Sequence, residues 1–179
     1  DLHLSLRRQR QMCIRDRYRP GDQAFFDVIQ SYMGYRTCYY RTLNVGSSTP
    51  AQEDAYRQAR EWIDAAIELI KPGMTTDKIA KKWPKAEDFG FANEMEAFGL
   101  QFGHGLGLAL HERPIISRLV SLDNPFELEI GMVFALETYC PAVDGNGAAR
   151  IEEEVVVTPS GCEIITLFPA KDLFIANKY

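Results

Sequence analysis

Two β-prone stretches, Ala24–Ile29 and Tyr35–Val45, flank a short turn containing Gly34, and this pairing constrains the fold more than any other feature of the chain. Runs rich in Phe, Val, Ile, Tyr and Thr on either side of a glycine-containing turn read as an antiparallel hairpin. The first stretch is apolar enough to predict a buried strand. With a turn over Ser31–Gly34, Gln30 pairs with Tyr35, and Asp27 then lies directly opposite Cys38. Cross-strand neighbours on one face have Cβ atoms roughly 5 Å apart. A carboxylate and a thiol so placed can hold a common ligand.

The rest of the chain predicts an α+β order. "RPGD" at 19–22 is a turn that opens the hairpin. Thr49 is an N-cap, Pro50 stands at the first helical position, and Pro72-Gly73 is the stop. Between them Tyr56, Ala59, Ile63, Ala66, Ile67 and Ile70 recur at helical spacing and form one apolar face. A shorter helix, capped by Thr75 or Thr76, runs to about Trp83, and residues 84–103 read as irregular. Strands are predicted over Ile130–Tyr139 and Ile151–Thr158 around a Gly/Asp/Asn loop, with a turn and last strand over residues 160–168. Helices set between a hairpin and an antiparallel β region give the α+β class.

Composition removes several function classes. The 179 residues suffice for one domain with a substantial core. A net charge of −5 lacks the basic face that nucleic-acid binding requires. No apolar run approaches the roughly 20 residues that span a bilayer. Cys13, Cys38, Cys140 and Cys162 lack the spacing of a disulfide scaffold or zinc ribbon and read as reduced thiols in a cytoplasmic protein. Residues 1–17, arginine-rich and unlike the rest of the chain, are expected to be a non-native leader, which leaves 18–179 as the domain proper.

After that leader the residues that could carry chemistry stand out by their setting. The histidines there are His104 and His111, both within "QFGHGLGLALHERP". Glycines on either side of His104 let the backbone approach a ligand or a neighbouring strand closely. Glu137 interrupts the apolar strand "MVFALETY", where a carboxylate is costly unless paired or bound to a metal. In "ARIEEEVVVT" Glu153 reads as a solvated strand edge, whereas Glu152 shares a face with Arg150. Asp27, His104, Glu137 and Glu152 together are a set of oxygen and imidazole donors suited to Mn, Fe, Co or Zn.

In order and spacing, "RPGD", Asp27 with "GYRTCYYRT", "FGHGLGLALHERP", "GMVFALETY" and "ARIEEEVVVT" resemble the pita-bread metallopeptidases: methionine aminopeptidase, aminopeptidase P, prolidase and their relative creatinase. "HGLGLALHERP" and "RIEEEVVVT" are most similar to the prolidase and aminopeptidase P branch. The resemblance implies a pita-bread catalytic domain, incomplete at its N-terminus, and a full-length protein that forms a homodimer. It implies one or two divalent ions held by Asp27, His104, Glu137 and Glu152. Glu137 would also serve as acid/base, His111 would contact substrate, and Arg150 would orient Glu152.

The family's second aspartate falls at Cys38. Three readings stay open: a thiolate ligand, the loss of one metal position, or chemistry without metal. The expected function is metal-dependent cleavage of small proline-containing peptides, of the Xaa-Pro peptidase type. The alternatives are a creatinase-like, metal-independent hydrolase or lyase acting on a small polar substrate, or a catalytically silent binding or dimerisation module.

Overall fold

The computed structural model describes residues 17–97 and 101–178. All but the last residue of the proposed leader lies outside them. The hairpin forms from β1 (Gln23–Tyr32) and β2 (Tyr35–Val45). Its turn is shorter than predicted: Tyr32 pairs with Tyr35, and Met33 and Gly34 alone make the reversal, both at positive φ. Such a two-residue turn matches the right-handed twist of the flanking strands. The register therefore moves by two positions, so that Asp27 opposes Tyr40 and Cys38 opposes Ile29. A two-residue shift preserves the faces, and Asp27 and Cys38 remain diagonal neighbours on one side.

The structure also corrects the burial predicted for the first strand. Only Ala24 of β1 is buried, while Phe25, Phe26 and Ile29 are about half exposed. The reason is that β1 is an edge strand of its three-stranded sheet, with little packed on it beyond Ala24. The third member, β8 (Phe174–Ala176), runs parallel to the end of β2 and was not anticipated.

Helix α1 (Pro50–Ile67) starts where its punctuation predicts. Thr49 accepts a hydrogen bond from the Gln52 amide at 3.2 Å, and Gln52 Oε1 accepts from the Thr49 amide at 2.9 Å. This reciprocal capping satisfies two of the amides that a helix start leaves open. Ala59, Ile63 and Ala66 are fully buried against the second sheet. The segment after α1 holds α2 (Thr76–Ala80), a 3₁₀ turn over Ala86–Phe89 and α3 (Glu94–Ala97).

The second sheet has five strands in the order β4-β3-β5-β6-β7. They are β3 (Gly103–Gly105), β4 (Glu112–Ile116), β5 (Val133–Pro141), β6 (Ala148–Thr158) and β7 (Gly161–Ile164). A short α4 (Arg118–Ser121) joins β4 to β5. Phe134 and Leu136 of β5, with Ile151 and Val155 of β6, build the core under α1. The opposite face of β5 and β6 carries Ala135, Glu137, Glu152 and Glu154, and β2 packs beside it.

The candidate metal centre

Strand pairing assembles the site. On β5 and β6, Glu137 and Glu152 are directly opposed. On β3, His104 pairs with Ala135 of β5 and so stands one step along the same face. The glycines around His104 are dictated by packing. A Cβ at Gly103 would lie 2.6 Å from the Ala135 carbonyl oxygen, and one at Gly105 would lie 2.2 Å from that of Arg113. Both are below any real contact distance, so only glycine lets β3 pass between β4 and β5.

Three donors from three strands converge. Cys38, His104 and Glu152 are all buried, and their ligand atoms lie within 4.8 Å of one another. His104 Nε2 is 3.6 Å from Glu152 Oε1, and Cys38 Sγ is 3.8 Å from Glu152 Oε2. The His104 Nδ1 lies 3.0 Å from the Gly105 carbonyl, which fixes the ring and aims Nε2 at the carboxylate. Asp27 reaches the group through Cys38, whose thiol donates to Oδ1 at 3.4 Å. Glu137 borders it through its pairing with Glu152.

The electrostatics describe a site short of positive charge. Glu152 is fully buried, and its Oε1 has no hydrogen-bond partner among the described residues. Burial, reinforced by the charge of Asp27, pushes its carboxyl up to about 9. Burial and the neighbouring Glu152 raise Glu137 to about 7. Burial, Glu152 and Asp27 hold the Cys38 thiol far above its ordinary range. A fully buried carboxyl with an orphaned oxygen, crowded by the half-buried Glu137 and the exposed Asp27, is what a cation would relieve. Thiol, imidazole and carboxylate are a donor set that suits zinc or cobalt.

Other groups stand in or around this centre. The ring of His111 lies 4.0 Å from that of His104, centroid to centroid, and desolvation and that neighbour lower its pKa. Arg150, expected to orient Glu152, acts on that carboxyl through its charge and makes its ion pair with Glu137. Its Nη2 lies 3.7 Å from Glu137 Oε2, because its guanidinium is stacked 3.8 Å from the centre of the Tyr40 ring.

Sequence reasoning missed three residues here. Glu153, predicted to be solvated, is buried and paired with Arg41 at 2.9 Å and Arg60 at 2.8 Å. Glu154 is buried and accepts from the Cys38 amide at 2.6 Å and from the Thr37 hydroxyl. Tyr40 directly opposes Asp27. For Glu153 and Glu154 the available signal was the acidic run itself, followed within the same strand by Val155, Val156 and Val157.

Comparison with known proteins finds similarity along most of the chain. The family profile described as metallopeptidase family M24 matches residues 7–159. The Xaa-Pro dipeptidase of Pyrococcus furiosus is 34% identical over 151 residues, covering 82% of this chain and 40% of that protein. Among solved structures, the prolidase from Pyrococcus furiosus superposes with a TM-score of 0.70 at 30% identity, covering 86% of this chain and 44% of that one. The dipeptidase PepE from Mycobacterium ulcerans gives 0.72 at 29% identity, covering 89% and 41%. The chain thus spans about two fifths of the length of the relatives it matches.

Proposed function

The chain belongs to metallopeptidase family M24 and has its pita-bread fold, and from that premise we propose that it forms the metal-binding part of a hydrolase that cleaves small proline-containing peptides. The observation that carries this reading is the buried group Cys38, His104 and Glu152, with its orphaned Glu152 oxygen. The substrate class follows the Xaa-Pro specificity in the names of relatives such as that of Pyrococcus furiosus.

In this reading Cys38, His104 and Glu152 hold a divalent ion, with Asp27 and Glu137 completing its surroundings. A bound ion polarises a carbonyl and lowers the pKa of water to the neutral range. The residues do the rest. Glu137, directly opposite Glu152, is the carboxyl placed to accept and return a proton there. Arg150, paired with Glu137, holds that carboxyl in place. Desolvation and the neighbouring His104 favour the neutral imidazole of His111, whose exposed ring can donate a hydrogen bond to a carbonyl oxygen as charge develops there. The unpaired thiols of Cys38, Cys140 and Cys162 fit a reducing, cytoplasmic setting. No helix among the described residues is long and apolar enough to cross a membrane.

The test is proline release from a Xaa-Pro dipeptide by the cobalt-loaded chain. The expected result is turnover that chelation abolishes and that Glu152→Gln lowers by at least tenfold. Turnover indifferent to both would contradict the proposal. Cobalt binding without turnover would limit the chain to a metal-binding module.

A further inference from the structure

Strands β2 and β6 belong to different sheets, yet they run side by side in opposite directions and are tied by side chains where a backbone ladder would otherwise be. Near its start, β2 meets the middle of β6: the Cys38 amide and the Thr37 hydroxyl both donate to Glu154 Oε1. Three residues on, Arg41 Nη1 donates to the Glu152 carbonyl and Nη2 pairs with Glu153. One residue further, the Thr42 hydroxyl donates to the Arg150 carbonyl at 2.7 Å and accepts from the Arg150 amide at 2.8 Å. Every rung is partly or wholly buried, so each polar group has its neighbour as partner in place of water.

We propose that Glu154 is a positioning residue for the donor at Cys38. The inference rests on the metal-centre reading of the site. Glu152 and Glu154 lie on one face of β6, two residues apart. Glu152 points at the Cys38 thiol, and Glu154 holds the backbone amide of the same cysteine. No β ladder joins β2 to β6, so the Glu154 carboxylate sets how far the residue at 38 stands from Glu152. A carboxylate bonded at once to an amide and a hydroxyl from adjacent residues has little freedom to swing. Glu154 is not itself a candidate donor and acts chiefly through the placement of Cys38.

The experiment compares the chain with Glu154→Gln, Glu154→Ala and Thr37→Val. It uses hydrogen exchange at the Cys38 amide without metal, and cobalt(II) titration followed by thiolate-to-cobalt absorption. A glutamine keeps an oxygen that can accept both bonds, so Glu154→Gln should match the parent in both readouts. Glu154→Ala should speed exchange at Cys38 while leaving that at Ile63 in α1 unchanged. It should also weaken cobalt binding roughly tenfold or more and diminish the thiolate band. Thr37→Val should act in the same direction to a smaller extent, and it serves if Glu154→Ala fails to fold. Unchanged exchange and affinity in a folded Glu154→Ala, or equal damage from glutamine and alanine, would overturn the proposal. A parent that binds no cobalt would instead refute the metal centre, and Cys38 exchange alone would then decide the role of Glu154.

Discussion

Glu152 and Glu137 make the molecule's stability depend on pH in an uncommon direction. Both carboxyls are raised in the folded state, to about 9 and about 7, chiefly by burial. The folded protein therefore holds protons that the unfolded chain releases near pH 4.5, and their contribution to stability is lost as pH rises through those values. The metal-free chain should melt at a higher temperature at pH 6 than at pH 8.5, and Glu152→Gln should flatten that slope. Saturation with a divalent ion should flatten it too, because the ion takes the place of the protons. Thermal melts across this pH range check both points. Arg41 gives a second prediction at this scale. Its pair with Glu153 is buried on both sides, and Arg60 still faces Glu153 when Arg41 is removed. Arg41→Ala should therefore cost about 3 kcal/mol, the low end for breaking a buried pair, as read from the urea midpoint.

Among the elements, β3 is the most exacting. It passes between β4 and β5 with glycine on either side of His104, and Gly105 lies against the Arg113 carbonyl. Gly105→Ala should push β4 away, destabilise by about 2 kcal/mol in the range of overpacking, and weaken metal binding through His104. Urea denaturation and cobalt titration measure the two effects. Helix α1 and the hairpin were readable in the sequence because their signals are local. Thr49, Pro50 and Gln52 specify a helix start without reference to the rest of the chain, and the apolar face from Tyr56 to Ala66 needs only periodicity. The hairpin's strands were equally plain, but its register depended on whether Met33 would take a positive φ, which side-chain type does not announce. The short strands β3 and β8 escaped because three residues carry no period. Among the candidate donors, each metal-type side chain was identifiable as a polar group in an apolar or glycine-rich setting. The partners that Tyr40, Arg41, Thr37 and Cys38 provide for Arg150, Glu153 and Glu154 were not, since they come from a segment more than 100 residues away and depend on how two sheets meet.

For the molecule as a whole, the candidate centre exists only where the two sheets touch. The smaller sheet brings Asp27 and Cys38, the larger brings His104, Glu137 and Glu152, and the buried rungs between β2 and β6 hold the halves in register. In the proposed centre the sulfur at Cys38 would give a softer character than an all-oxygen and imidazole set. Cys38→Asp should accordingly raise manganese affinity relative to zinc, by roughly tenfold or more, as competition calorimetry would show. The most direct test of the centre itself is cobalt(II) titration of the chain beside Cys38→Ser, His104→Ala and Glu152→Gln. The account predicts binding with a thiolate-to-cobalt band, loss of that band in Cys38→Ser, and markedly weaker binding in all three variants. A folded chain that binds no cobalt, or binds it equally well in every variant, would contradict it.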